Sequence, residues 1–552
     1  MEDAGWEVPG DGSGSGGQFL AGAAAIVAVA CLLRVYQLGT QEIWFDEAFS
    51  FHMATRRDVL GLLLAENSPP LYYLLLRGWV GLVGQSEAAL RIISALAGTL
   101  FVAAIIWAGR ELVAPGAGLW SGLMAAVAPI HVYYSQEARA YALLTLALAL
   151  TYAALGRALR TNAWRWWMFG AAGAALALYT HYFALLGLLS TAALVRAAPG
   201  PGRWRRYLSA GLGSGLVFAP WAVWSFLLTP RSQVPFAWIR GIWEMTPPRV
   251  AIPLSLEVFG LGSHFGLLPM PLKQFTSMEF PIALRLLGLA VLLLLGLWVA
   301  IPWGEGGLGV PGLLRRKAAL GLLLFFPLAA LWLGSIVKPV YAVGRYDMVA
   351  FPAFSLLLGL ALWKLQRVQR TGPILAGLAA LLLLIPIGAK LFLYYQAPSG
   401  QLARRTAKVL QRFVGNGDVV VFTSTRVLPV MYYLSRAGYH WADGHCRNDL
   451  DRRGFACRVY PREVERSLLL FDRNRVPSAE AVSADIQAFA SQARFQGGGL
   501  WVVFGESAFS EGKLPLSEGE LMLVWELQGM GYQPEPVMGA AGIFRFRTTT
   551  DH

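Results

Sequence analysis

Long apolar runs recur along this chain, several reaching about 18 to 22 residues, and a run of that length is what a helix needs to cross a bilayer. With 56% hydrophobic and 14% charged residues over 552 positions, the chain is read as a polytopic membrane protein and not as a soluble enzyme. Candidate spans are 18–34, 90–109, 117–133, 139–157, 165–179, 182–196, 208–228, 281–301, 318–336, 348–364 and 373–394. The net charge of +13 invites a nucleic-acid reading. The basic residues sit mostly in short loops between apolar runs, however, which is a topology signal and not a binding stripe. Nucleic acid is therefore not an expected partner. Residues 1–17 form a Gly- and Ser-rich, acidic tail without Lys or Arg. It lacks the basic start of a cleavable signal peptide, so the first apolar run is expected to be a retained helix.

A twelfth apolar piece, 69–84, starts on Pro69-Pro70 and carries Arg77 in its middle. It suits a helix lying at the interface better than a crossing, and this choice sets the parity of everything after it. With eleven crossings, four basic clusters share one face: Arg157, Arg160 and Arg165; Arg196, Arg203, Arg205 and Arg206; Arg315, Arg316 and Lys317; Lys364, Arg367 and Arg370. The positive-inside rule makes that face cytoplasmic. The other face receives the first loop 35–89, the stretch Ser135 to Tyr141, the Tyr179 to Tyr182 turn, the long loop 229–280, Lys338 to Asp347 and all that follows about residue 395. Arg34, Arg56, Arg57 and Arg77 within 34–90, with the acidic N-terminal tail, dilute the rule locally.

From 396 to 552 the composition changes. Apolar strands are predicted at Asp418–Phe422, Leu500–Gly505 and Gly542–Phe546, with helices around Val427–Ser435 and 481–494. Alternating strands and helices over about 150 residues predict a small extracytoplasmic α/β domain. Cys446 and Cys457 are a candidate disulfide pair if that domain faces an oxidising compartment. A metal site at His445 is disfavoured, since no second ligand pair has the spacing.

The chemistry gathers on the expected outer face. Asp46-Glu47 stand between aromatics in Trp44-Phe45-Asp46-Glu47-Ala48-Phe49. Carboxylates beside hydrocarbon are a functional-site hypothesis by default, against the plainer reading of a solvated helix cap. Glu137 and Arg139 form a second pair, His181 and Tyr182 add an imidazole and a phenol, and Arg345-Tyr346 stand at a helix entrance. The plainer readings here are a helix start, a snorkelling arginine and interfacial rings. A carboxylate can take a proton from a hydroxyl nucleophile while guanidinium groups hold a phosphate in bidentate fashion. A lipid-linked phosphosugar presents that phosphate at this depth, and its leaving group needs positive charge. The residues point to sugar transfer from a lipid phosphate to an acceptor on the outer face.

These motifs resemble those of the integral-membrane GT-C glycosyltransferases, in the glycosyltransferase family 39 type that includes relatives of protein O-mannosyltransferases and aminoarabinose transferases. Tyr36-Gln37-Leu38-Gly39 with Trp44 to Phe49 resembles their first outer loop. Asn67-Ser68-Pro69-Pro70-Leu71-Tyr72-Tyr73 is similar to their Pro-Pro-Leu juxtamembrane segment, Ser135 to Tyr141 to the motif after the third span, and Gly344-Arg345-Tyr346 to Phe351-Pro352 to a late Arg-Tyr and proline element. The resemblance covers 18–395. It implies a GT-C fold of about eleven transmembrane helices with interfacial juxtamembrane helices, in a bacterial-type inner membrane. It implies a polyprenyl-phosphate monosaccharide donor and an acceptor that is a lipid, a glycan or a protein. Asp46 would be the base with Glu47 assisting, and Arg139 and Arg345 the donor-phosphate contacts. Glu137, with His181, Tyr182 and Tyr346, would line the pocket. Eukaryotic protein mannosyltransferases have His before the two prolines, where this chain has Asn67-Ser68, so protein O-mannosylation is not implied. Some GT-C enzymes use a divalent cation; no dense carboxylate cluster here calls for one.

Two rival classes make different demands. A lipid-sugar flippase would show internal repeats and mid-membrane charges, whereas the two halves show no convincing repeat and the charged motifs lie at one face. An O-antigen-type ligase would favour a large basic loop over an Asp-Glu pair. A scaffold would leave the convergent acids and arginines without a purpose.

Overall fold

A backbone without water must satisfy its own N–H and C=O groups, so the apolar runs become helices. The structure is a computed structural model that describes residues 15–56, 59–65, 68–228, 243, 248–262, 281–302, 312–396, 402–423, 427–442, 445–448, 453–459, 479–495, 498–504, 518–537 and 542–548. Most of the acidic tail, Arg57, Asn67 and much of the 229–280 loop lie outside the described residues.

Among the described residues eight helices are long and apolar enough to cross a membrane: Gly16–Val35, Glu87–Leu112, Tyr141–Thr161, Arg203–Leu228, Ile282–Ala300, Leu313–Val337, Tyr346–Gln366 and Gly372–Gln396. The remaining three expected spans are shorter or interrupted. The run expected at 117–133 is two helices, Pro115–Val127 and Pro129–Ser135. Pro129 has no N–H for the carbonyl of Ala125, and its ring displaces that turn. The 165–179 run is the 17-residue helix Trp164–Thr180, and the 182–196 run is Ala184–Ser190 followed by Ala192–Ala197. Leu71–Val83 has 13 residues, a rise of about 20 Å against a hydrocarbon core of about 30 Å. It buries one face, Tyr72, Tyr73, Leu76 and Val80, and both features fit the interfacial reading.

The described residues fall in two compact units. One holds those up to Gly39, from Val59 to Leu228, and from Trp243 to Gln396; the other holds Thr40 to Arg56 together with those from Leu402 onward.

In the first unit the four basic clusters meet at one end of the helices. Arg157 and Arg160 pair with Glu111 at 3.4 and 2.7 Å. Arg316 donates to the carbonyl of Leu112 at 3.3 Å, and Arg206 to that of Asn162. Lys317 donates to Val299 O at 2.7 Å and Lys364 to Trp298 O at 3.0 Å, so both cap the Ile282–Ala300 helix. Cations favour that position because unpaired carbonyls and the helix dipole make it negative. Close approach is built from small residues, as membrane helices require. A Cβ on Gly109 would lie 2.6 Å from the Cα of Gly118 where two helices cross.

The broken helix is repaired from outside. Arg34, fully buried, donates to Ala30 O, to Ala126 O at 2.9 Å and to Ala125 O at 3.2 Å. Those last two carbonyls are the ones that lose partners at the Pro129 break. The same guanidinium lies 3.0 Å from His131 Nδ1, and His131 Nε2 lies 2.9 Å from Thr145 Oγ1. Thr145 gives its own proton to Ala142 O, which fixes the imidazole as the Nε2–H tautomer.

The second unit is built on a seven-stranded sheet. Its strands are β1 (Val419–Phe422), β2 (Tyr439–Ala442), β3 (His445–Asn448), β4 (Arg453–Val459), β5 (Leu500–Val503), β6 (Tyr532–Pro536) and β7 (Ile543–Thr548), in the order β2-β3-β4-β1-β5-β7-β6. The central β4, β1 and β5 run parallel, and hairpins β2-β3 and β6-β7 extend the two sides antiparallel. β1 and β5 are buried at every position, as strands covered on both faces must be. Cys446 on β3 and Cys457 on β4 are both buried, with sulfurs 2.9 Å apart.

Candidate active site

The Ser135 to Tyr141 motif begins where the Pro129–Ser135 helix ends. Its glutamine is structural. Gln136 Nε2 donates to the carbonyls of Leu33, Arg34 and Tyr36 at 3.3, 3.1 and 2.7 Å, closing the end of the Ser15–Val35 helix, while Tyr394 donates to its Oε1 at 2.9 Å. Glu137 is buried and Arg139 half-buried in the bend that follows. Arg139 is held through its backbone: its N–H donates to Glu137 O at 2.7 Å and its carbonyl accepts from Ser94 at 3.2 Å. Ser94 lies 3.1 Å from the hydroxyl of Tyr72. The Pro-Pro-Leu segment is thus tied to the Arg139 bend by one serine.

Arg345 arrives from the other side on a turn that glycine permits. Gly344 has φ +72°, and its N–H donates to Asp347 Oδ2 at 2.9 Å. Its carbonyl accepts from Tyr134. Held so, Arg345 is 8% exposed and donates through Nε to the hydroxyl of Tyr141 at 3.3 Å. Arg345 and Glu137 both lie within electrostatic range of the Tyr134 hydroxyl.

His181 follows the Trp164–Thr180 helix in extended conformation. Its ring lies between Tyr141 at 6.0 Å and Tyr346 at 5.5 Å. Burial, and then the guanidinium groups of Arg139 and Arg345, push its pKa down to about 3. The imidazole is therefore neutral. Its Nδ1 accepts from Phe183 N–H at 3.2 Å, which leaves the proton on Nε2 as a donor. Tyr182 points elsewhere: its hydroxyl meets Ser225 at 2.9 Å and Trp221 Nε1 at 3.0 Å, and its ring packs on Phe226.

Glu137, Arg139, His181, Arg345 and Tyr346 thus come together in the first unit, while Tyr182 belongs to a neighbouring aromatic cluster. Asp46 and Glu47 belong to the second unit. They occupy the first turn of the Phe45–Thr55 helix, Asp46 half-exposed and Glu47 1% exposed, where carboxylates are favoured by the helix dipole. At that burial Glu47 is not a solvated cap. The sequence reading does not single out Tyr134, Gln136, Tyr141 or Asp347. Each stands in or beside a quoted motif, and that adjacency is the signal that could have found them. Among the described residues there is no group of three His, Cys, Asp or Glu side chains placed to hold a metal ion.

Two guanidinium groups, an imidazole N–H and the Tyr141 hydroxyl around one locus are an array of hydrogen-bond donors with net positive charge. Such an array suits an anion with several oxygens. Residues 67–224 match the family described as dolichyl-phosphate-mannose-protein mannosyltransferase. No curated protein matches the chain by sequence. By fold the chain is similar to ArnT from Cupriavidus metallidurans. The undecaprenyl phosphate complex gives a TM-score of 0.55 at 12% identity, covering 97% of this chain and 98% of that one. The apo form gives 0.56 at 12% identity, covering 95% and 97%. The apo oligosaccharyltransferase of Archaeoglobus fulgidus aligns with a TM-score of 0.49 at 13% identity, covering 98% of this chain and 75% of that one.

The fold is that of the GT-C membrane glycosyltransferases. Within that class the likeness in sequence to the dolichyl-phosphate-mannose-protein mannosyltransferase family is confined to residues 67–224. The matched segment contains the Pro69-Pro70 motif, Glu137, Arg139, Tyr141 and His181; Asp46, Glu47 and Arg345 lie outside it.

Proposed function

We propose that this protein transfers a monosaccharide from a polyprenyl-phosphate donor to an acceptor on the extracytoplasmic face. The observation that carries the reading is the gathering of Arg345 and His181 about Tyr141, Arg345 donating to its hydroxyl at 3.3 Å and the His181 ring 6.0 Å from its own, with Arg139 close enough to act on the same imidazole. In this reading the two arginines bind the donor phosphate and stabilise the charge that develops as the lipid phosphate leaves. His181 contributes a hydrogen bond and no charge, Tyr141 orients Arg345, and Glu137 and Tyr346 line the pocket; Tyr182, turned toward Ser225 and Trp221, has no part in it. Asp46 takes the proton of the acceptor nucleophile and Glu47 assists; these two roles rest on sequence and family likeness. ArnT with undecaprenyl phosphate supports the donor class.

The orientation rests on two opposite ends. Tyr141 and Arg160 stand near the start and end of one 21-residue helix, a rise of about 30 Å, which is the thickness of a hydrocarbon core. Placing the basic end in the cytoplasm puts the arginine site outside. Eleven segments then cross, with 115–135, 164–180 and 184–197 added to the eight long helices. The membrane is a bacterial-type inner membrane in this reading.

The test is donor turnover in proteoliposomes with labelled polyprenyl-phosphate sugar. Release of polyprenyl phosphate, lost in Arg345→Ala through weaker donor binding, is expected. Movement of intact lipid-sugar across the bilayer without cleavage would make the protein a flippase instead.

A further inference from the structure

The C-terminal unit contains more than its sheet: residues 40–56, which carry Asp46, fold as part of it. The first four N–H groups of the Leu402–Phe413 helix have no partner within the helix. Glu42 supplies one. Its carboxylate accepts from Arg404 N–H, with Ala403 and Leu402 N–H directed at the same group. The cap and the helix it closes are 362 residues apart in the chain. One residue further on, the N–H of Ile43 donates to the hydroxyl of Tyr433 at 3.0 Å, and Ile43 itself is 1% exposed. The Arg404 guanidinium lies over the Tyr433 ring at 5.3 Å. Beyond Asp46, Phe51 packs edge-on against Tyr432 with centroids 5.1 Å apart.

Asp46 and Glu47 therefore stand between two anchor points, at 42–43 to the Leu402–Phe413 and Val427–Arg436 helices and at 51 to the Val427–Arg436 helix. An 11-residue helix is marginal by itself, so its position is set by what it packs on. We propose that the C-terminal α/β domain is the holder of the Asp46 loop, with Glu42 and Tyr433 as positioning residues for the proton-accepting step. This inference rests on Asp46 acting as the base.

The experiment compares the full-length protein with Tyr433→Phe and Glu42→Ala in nanodiscs, by backbone hydrogen exchange and by steady-state kinetics with polyprenyl-phosphate sugar. Each variant is expected to speed exchange across 40–56 by roughly 2- to 30-fold, the range for loss of one cap or its equivalent. Exchange across 141–161 stays unchanged, kcat falls, and the donor KM holds. Unchanged exchange at 40–56 in both variants overturns the clamp, as does faster exchange with kcat intact. Asp46→Asn is run beside them: full turnover there removes the base reading while leaving the exchange result standing. Should Tyr433→Phe fail to fold, Glu42→Gln, which keeps one carbonyl acceptor, is expected to fall between the wild type and Glu42→Ala in exchange. Wild-type exchange in both Glu42 variants then overturns the proposal.

Discussion

His181 shows what burial does to a titratable side chain placed beside two arginines. Its ordinary pKa near 6.5 falls to about 3, so the folded protein keeps it neutral while the unfolded chain takes up a proton below about pH 6.5. The contribution to stability is therefore complete above that pH and is lost as pH falls toward 3. His181→Gln is expected to flatten the acid side of the thermal-stability curve between those limits. Wild-type slope in the variant, followed by unfolding in detergent at a series of pH values, counts against a buried neutral imidazole. Tyr141→Phe removes the hydroxyl that Arg345 donates to, and the expected loss is roughly 2- to 10-fold in donor affinity with folding intact. Titration with the donor lipid reads it directly. Residue identity at the site was legible in part. Isolated charges near apolar runs announce themselves, so Glu137, Arg139, His181 and Arg345 could be picked from the sequence. The direction of Tyr182 could not, because one backbone step past His181 sends its ring toward Ser225 and Trp221, and no pattern in the sequence encodes that turn.

At the scale of elements, proline explains the main departure from the expected helices. A single run at 117–133 is what hydropathy gives, because Pro129 is apolar; its missing N–H is what divides the run. The repair by Arg34 comes from 91 and 92 residues away, a separation that only the folded chain reveals. Arg34→Met is expected to destabilise the protein by about 2–5 kcal/mol, since two buried carbonyls lose their donor. A melting midpoint equal to that of the wild type would show the break to be self-sufficient. The helix crossing at Gly118 makes a simpler claim. Gly118→Val puts side-chain carbon against the backbone of Glu87–Leu112, with the N of Arg110 at 2.9 Å from the first new atom. Overpacking of that kind costs about 1–3 kcal/mol, checked by the same melt. In the second unit the strands β1, β5 and β7 were readable as apolar runs, and β2, β3, β4 and β6 were not. Those four are short or rich in charged and polar residues, and they are strands because neighbours pair with them.

In the helical unit one end gathers basic residues, and the opposite end of the Tyr141–Thr161 helix stands beside His181 and Arg345. Loop charges assign the basic end through the number of crossings, whereas the contacts of Arg157, Arg160, Arg206, Arg316, Lys317 and Lys364 define it independently of that number. The orientation is checked by single-cysteine labelling in a background lacking Cys31, Cys446 and Cys457. A cysteine at Glu137 is expected to react from outside and one at Arg315 from inside. The capping of the Leu402–Phe413 helix by Glu42 was beyond the sequence, because the two share no local pattern. The most direct test of the account is release of polyprenyl phosphate from a labelled polyprenyl-phosphate monosaccharide, measured by mass spectrometry for the wild type, Asp46→Asn and Arg345→Ala. Sugar transfer is expected for the wild type, none for Asp46→Asn with donor binding retained, and weakened donor binding for Arg345→Ala. Intact donor after incubation with the wild type and acceptor-bearing membranes, or full turnover by Asp46→Asn, would contradict it.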